Sequence, residues 1–93
     1  MANFYNIYII PKEGKYRSDI EEIMDDFLDW VRYGKNNYIV YSTINIRQIK
    51  ADFKPLVEPD GRLFICKFDT SDYNGWMPKG FWEWIKKDRN NNK

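Results

Sequence analysis

The chain has no histidine and one cysteine, Cys66, among its 93 residues. Without histidine there is neither a Ser-His-Asp nor a Cys-His nucleophilic mechanism. The usual ligands of zinc and copper are missing as well. A single cysteine excludes an internal disulfide and suits a reducing cytoplasm. Cys66 lies in an alternating apolar run, which reads as filler on a sheet face rather than a nucleophile. No apolar run approaches the roughly 18 residues that a membrane span requires. The opening Met1-Ala2-Asn3-Phe4 lacks a basic region followed by an apolar stretch, so no signal peptide is expected. Gly14, Gly61 and Gly75 are isolated turn glycines and build no phosphate-binding loop. A net charge of +1 does not by itself indicate a nucleic-acid partner.

Aromatic residues are abundant, at 18% of the chain, and a few large rings fill a small core efficiently. With 43% hydrophobic residues and a mean hydropathy of −0.73, the composition is that of one small globular domain. Charge is unevenly spread. Ser18 to Asp29 carries Asp19, Glu21, Glu22, Asp25, Asp26 and Asp29 and no base. Trp30 to Val57 carries Arg32, Lys35, Arg47, Lys50 and Lys54 against Asp52 alone. One element is therefore acidic and the middle of the chain basic.

Residues 3–10 alternate as a strand that is apolar or aromatic on both faces, ended by Pro11, which cannot donate to a ladder. Ser18-Asp19-Ile20-Glu21 has the form of a capping box. Ile20, Ile23, Met24, Phe27, Leu28 and Val31 then follow in one helical stripe. Trp30 to Tyr33, the turn Gly34-Lys35-Asn36-Asn37, and Tyr38 to Thr43 read as a hairpin. Asn45 with Gln48 caps a second helix with the stripe Ile46, Ile49, Phe53 and Leu56, which Pro55 is expected to distort or end. Glu58-Pro59-Asp60-Gly61 is a turn, Leu63 to Phe68 a strand, and Pro78 opens a last helix carrying Phe81, Trp82, Trp84 and Ile85. The order β-α-β-β-α-β plus a C-terminal helix predicts an α+β ferredoxin-like domain over residues 1–88. Its four-stranded antiparallel sheet would hold two helices on one face, and residues 89–93 would form a disordered tail. The other sheet face must be solvated, covered by the C-terminal segment, or buried in a partner.

Tyr38-Ile39-Val40-Tyr41-Ser42-Thr43, Ile46-Arg47-Gln48-Ile49, Phe53-Lys54-Pro55-Leu56, Asp60, Leu63-Phe64-Ile65, Gly75-Trp76-Met77-Pro78-Lys79 and Trp82-Glu83-Trp84 follow one another in a distinctive order. In these residues the chain resembles the SinR-like small proteins, relatives of the small, ferredoxin-like subunit of the CRISPR adaptation complex. The resemblance implies a ferredoxin-like fold and a homodimer formed through the sheets. It also implies that nuclease-active relatives hold a divalent metal on an aspartate at the end of the first strand. Here that region reads Ile7-Tyr8-Ile9-Ile10-Pro11, without a carboxylate, and the nearest, Glu13, lies in the loop. Magnesium needs hard oxygen ligands.

Three groups are candidate sites. Trp76, Trp82 and Trp84 form a candidate interaction surface. Trp82 and Trp84, two residues apart, cannot share a helix face, so at least one points away from the local core. Arg32, Lys35, Tyr38, Arg47, Lys50 and Lys54 are candidate nucleic-acid contacts, with Tyr33, Tyr38 and Tyr41 as stacking platforms. Asp25, Asp26 and Asp29 read as a solvated helix face, because adjacent carboxylates diverge by about 100° on a helix and chelate poorly. The expected protein is therefore a small, cytoplasmic, non-catalytic binding module, of the kind found in mobile elements or defence systems. It takes no cofactor or metal and has a protein partner. The alternative is a nucleic-acid binder or residual metal-dependent nuclease of the CRISPR-adaptation type.

Overall fold

The computed structural model describes residues 1–89. Its elements are β1 (Asn3–Ile10), α1 (Arg17–Met24), β2 (Asp29–Gly34), β3 (Asn37–Ser42), α2 (Ile46–Val57), β4 (Arg62–Phe68) and α3 (Lys79–Lys86). The four strands form one antiparallel sheet in the order β2-β3-β1-β4, with β1 paired to both β3 and β4. The result is a small α+β fold with three helices.

The alternation seen in the sequence decides the layers. Tyr5, Ile7 and Ile9 of β1, with Tyr38 and Val40 of β3, face α1 and α2. They close the main core with Ile20, Met24, Phe27, Ile49 and Phe53. Even-numbered residues of β1 face the other way, and there α3 and the segment after it cover part of the sheet. Trp84 meets Phe4 edge-on at 5.9 Å, Phe81 meets Tyr33 at 5.6 Å, and Ile85 and Ile39 are both buried. Cover by the C-terminal segment, one of the three expected fates, thus holds for this part of the face, while Phe64 on the same face stays exposed.

Helix α1 departs from its expectation at both ends. Its N-cap is Tyr16, two residues before Ser18, and the Tyr16 N–H donates to the Asp19 carboxylate at 2.8 Å, so Ser18 and Glu21 are not the cap. Glu21 instead lies 3.4 Å from Arg17 and accepts from the Tyr38 hydroxyl at 3.2 Å. The helix stops at Met24 rather than running on through the stripe to Val31. No base occupies its last turn, and Asp25 and Asp26 meet the negative end of the dipole, where carboxylates disfavour extension. Asp25 then accepts from the Trp30 indole N–H at 3.0 Å, which turns the chain into β2.

Helix α2 begins as expected, with the Asn45 side chain accepting from the Gln48 amide at 2.9 Å. It does not end at Pro55 but continues to Val57, with Leu56 and Val57 buried against β1 and β4. The hairpin turn is shorter than expected, because Gly34 and Asn37 still pair. Among the described residues no helix is long and apolar enough to cross a membrane. Beyond Arg89, the expected tail lies outside the described residues.

Candidate functional site

Arg47, Lys50 and Lys54 are spaced by three and four residues and so share one stripe of α2. The opposite stripe, Ile49, Phe53 and Leu56, is buried, which turns the basic stripe outward and beside β4. The three bases form one wall of a groove of about 540 Å³ between α2 and β4. Its floor is apolar: Val57 from the helix, and Leu63 and Ile65 from the strand, with Phe64 at the lip. Phe64 is 60% exposed, which is unusual for so large an apolar ring.

The groove's charge is largely unopposed. Glu58 is the one carboxylate in its lining, and it lies 3.9 Å from Lys54 in a pair exposed on both sides, worth about 0–1 kcal/mol. Asp52 is turned to the Gln48 amide at 2.8 Å. Among the described residues neither Arg47 nor Lys50 has an ion-pair partner. The groove therefore offers positive charge above an apolar floor, an arrangement that suits an anionic chain with apolar groups of its own.

The other candidate bases lie elsewhere. Arg32 and Lys35 belong to a second groove, of about 500 Å³, between the start of α1 and the β2–β3 turn. Lys15 and Arg17 line it too; read from sequence, both fall in the polar loop from Lys12 to Arg17, which carries no motif that would single them out. The five bases and one tyrosine grouped from the sequence thus separate into two grooves. Tyr38 cannot stack on a base: it is 1% exposed, its hydroxyl is bound to Glu21, and its ring packs on Trp30 at 5.8 Å. Burial and the Glu21 carboxylate beside it push its pKa up to about 12. Tyr33 and Tyr41 are also engaged, Tyr33 by donating to the Asn6 side chain and Tyr41 by packing on Phe4 at 4.9 Å.

The tryptophans divide as well. Trp76 is 98% exposed at the tip of the β4–α3 loop. Trp82 stacks on Tyr73 at 5.8 Å and donates its indole N–H to the Met77 carbonyl at 3.0 Å. Trp84 packs on Phe4 beneath Arg89. A cavity of about 400 Å³ opens between this loop, α3 and the sheet, with Tyr33, Cys66, Trp76 and Trp82 in its walls. Burial pushes the Tyr33 hydroxyl up, and the neighbouring Cys66 thiol adds to the shift.

Of the acidic group, Asp29 meets Lys87 at 3.0 Å and Arg89 at 3.2 Å, and Asp25 holds Trp30. Among the described residues no cluster of three or more histidine, cysteine, aspartate or glutamate side chains is placed to hold a metal ion. The chain matches no family model, no curated protein and no solved structure.

Proposed function

We propose that the chain is a small non-catalytic binding protein of ferredoxin-like fold, which docks a macromolecular partner in the groove between α2 and β4. The strand order β2-β3-β1-β4 and the succession of elements up to β4 support the ferredoxin-like reading. The kinship with SinR-like proteins and the CRISPR adaptation small subunit belongs to the same proposal, as do a place in a defence or mobile-element system and in the cytoplasm. A homodimer belongs to it too, through the strip of Tyr8, Ile10 and Phe64 on the sheet face that carries α3.

The observation that carries the reading is the stripe Arg47, Lys50 and Lys54 above an apolar floor, with two of its three charges unpaired. Nucleic acid is the second reading, favoured by the additional basic groove formed by Lys15, Arg17, Arg32 and Lys35. Residual nuclease activity has less support, because β1 ends in Ile9-Ile10-Pro11 and presents no carboxylate.

The test is a fluorescence-anisotropy titration of two labelled probes at low and moderate salt. One is a DNA oligonucleotide, single- or double-stranded; the other is a peptide of alternating glutamate and valine. At least one probe is expected to bind and to lose its affinity in the R47A/K50A/K54A variant. Binding that the triple variant leaves unchanged, or no binding of either probe at low salt, would refute the groove as the site. Steep weakening with salt would report contacts to phosphate.

A further inference from the structure

Strand β4 ends the sheet, so one of its edges has no neighbour. Which of its backbone groups face that edge follows from the ladder. The Ile9 N–H donates to the Asn36 carbonyl at 2.9 Å, so the odd-numbered residues of β1 aim their N–H and C=O groups at β3. The even-numbered ones, Phe4, Asn6, Tyr8 and Ile10, must then bond β4 through their partners Phe68, Cys66, Phe64 and Arg62. Leu63, Ile65 and Lys67 are left with N–H and C=O directed outward, along the groove that α2 walls with Arg47, Lys50 and Lys54.

Free strand edges are ordinarily blunted. The other edge of this sheet is: β2 is irregular between Arg32 and Gly34, and its first residue, Asp29, is held by Lys87 and Arg89. Edge β4 is regular over seven residues, and its charges, Arg62 and Lys67, flank an apolar centre of Leu63, Phe64, Ile65 and Cys66.

We infer that an extended acidic segment of a partner protein adds to β4 as a fifth strand, lying between the edge and α2. This rests on the groove being the binding site and specifies its occupant. Hydrogen bonds to Leu63, Ile65 and Lys67 supply the register, and alternate side chains of the segment supply recognition. Those on the helix side reach Arg47, Lys50 and Lys54 and are acidic; those on the other side cover Phe64 and are apolar. A second copy of this chain is the wrong occupant. Antiparallel self-pairing about Ile65 would bring the two basic α2 helices together on one face of the joined sheet. A nucleic acid would satisfy the charge but not the outward N–H and C=O groups.

The test uses the full chain and the alternating glutamate–valine peptide, made as long as β4. Amide hydrogen exchange is read with and without it. The Leu63, Ile65 and Lys67 amides are expected to slow on binding, while Phe64 and Cys66, already in the ladder, do not change. K67P removes an outward N–H at an exposed side chain, where proline is tolerated, and K67A is its control for the lost charge. K67P is expected to weaken the peptide about tenfold or more relative to K67A. Peptide bound with unchanged exchange at the three amides would overturn strand addition while leaving the groove as the site. The oligonucleotide bound, and the peptide not, would overturn it in favour of nucleic acid in the same groove. Protection of the three amides in the free protein, with a dimer mass by light scattering, would give the edge to a second copy. Failure of both probes would remove the groove reading itself.

Discussion

Replacing Arg89 by alanine should loosen the cover that α3 places over the sheet. The guanidinium lies 5.1 Å from the Phe4 ring centre, 5.2 Å from that of Tyr41 and 4.4 Å from that of Trp84. It donates to the Trp84 carbonyl at 2.6 Å and the Ile85 carbonyl at 3.3 Å, and meets Asp29 at 3.2 Å. Its side chain is only 6% exposed. Breaking a fully buried ion pair costs about 3–5 kcal/mol. Asp29 is a quarter exposed and keeps Lys87 at 3.0 Å, so the loss here is smaller. The ring contacts add about 1 kcal/mol and the charge-assisted bonds to carbonyls about 1.5–3 kcal/mol. Side-chain entropy released by the truncation offsets up to about 2 kcal/mol. The net expectation is a destabilisation of about 2–3 kcal/mol, or roughly 10–20 °C in Tm for a domain of this size. Urea titration and near-ultraviolet circular dichroism of the aromatic rings would measure it. R89K keeps the charge but not the planar fork, and should recover less than half of the loss. An R89A variant within about 0.5 kcal/mol of the parent, with unchanged aromatic dichroism, would refute the clamp.

The same clamp sets a pH dependence. Burial pushes the Asp29 carboxyl up, but the Lys87 hydrogen bond and charge, the Trp30 amide and a Trp84 hydrogen bond outweigh it and hold its pKa below 3.8. A depressed folded pKa contributes stability that is complete above the ordinary value and is lost as pH falls through the folded one. D29N should therefore show a shallower acid-side decline in urea midpoint than the parent. At the alkaline end, the Tyr38 pKa is raised from 10.0 to about 12, so its contribution is present below pH 10.0 and lost on the way to about 12. Tyr38→Phe should remove the last-titrating tyrosine from a tyrosinate absorbance titration; its persistence would show that another tyrosine is the late one. A Cβ on Gly61 would lie 2.5 Å from the Ile10 carbonyl and 2.8 Å from the Val57 carbonyl, backbone that cannot swing away. Gly61→Ala should destabilise by about 1–3 kcal/mol in the same urea titration. Trp76→Ala should change stability by less than about 0.5 kcal/mol and remove the most water-exposed tryptophan emission. A large loss of stability would place Trp76 in packing that its exposure does not indicate.

The elements were legible because their signals are local. A two-residue alternation marks β1 and β4, Asn45 and Gln48 mark the start of α2, and the offsets of Arg47, Lys50 and Lys54 place them on one stripe without any knowledge of the fold. Where a local signal competed with another, reading it alone misled. The apolar stripe after Ile20 continues past Met24, but Asp25 and Asp26 at the C-terminal end of α1 stop the helix, and Pro55 leaves α2 intact because Leu56 and Val57 are buried beyond it. The grouping of Arg32, Lys35 and Tyr38 with Arg47, Lys50 and Lys54 rested on proximity along the chain. Strand order separated them, since β2 and β4 are opposite edges of the sheet. Arg89 looked like tail; it is a clamp because Asp29, 60 residues away, and three rings converge on it. Residue spacing along the chain thus determined the helices, the strands and the basic stripe. Which strand is left without a neighbour, and which charges meet across the sheet, depended on pairing between distant segments, and only the tertiary structure decided that β4 lies free beside the basic wall of α2.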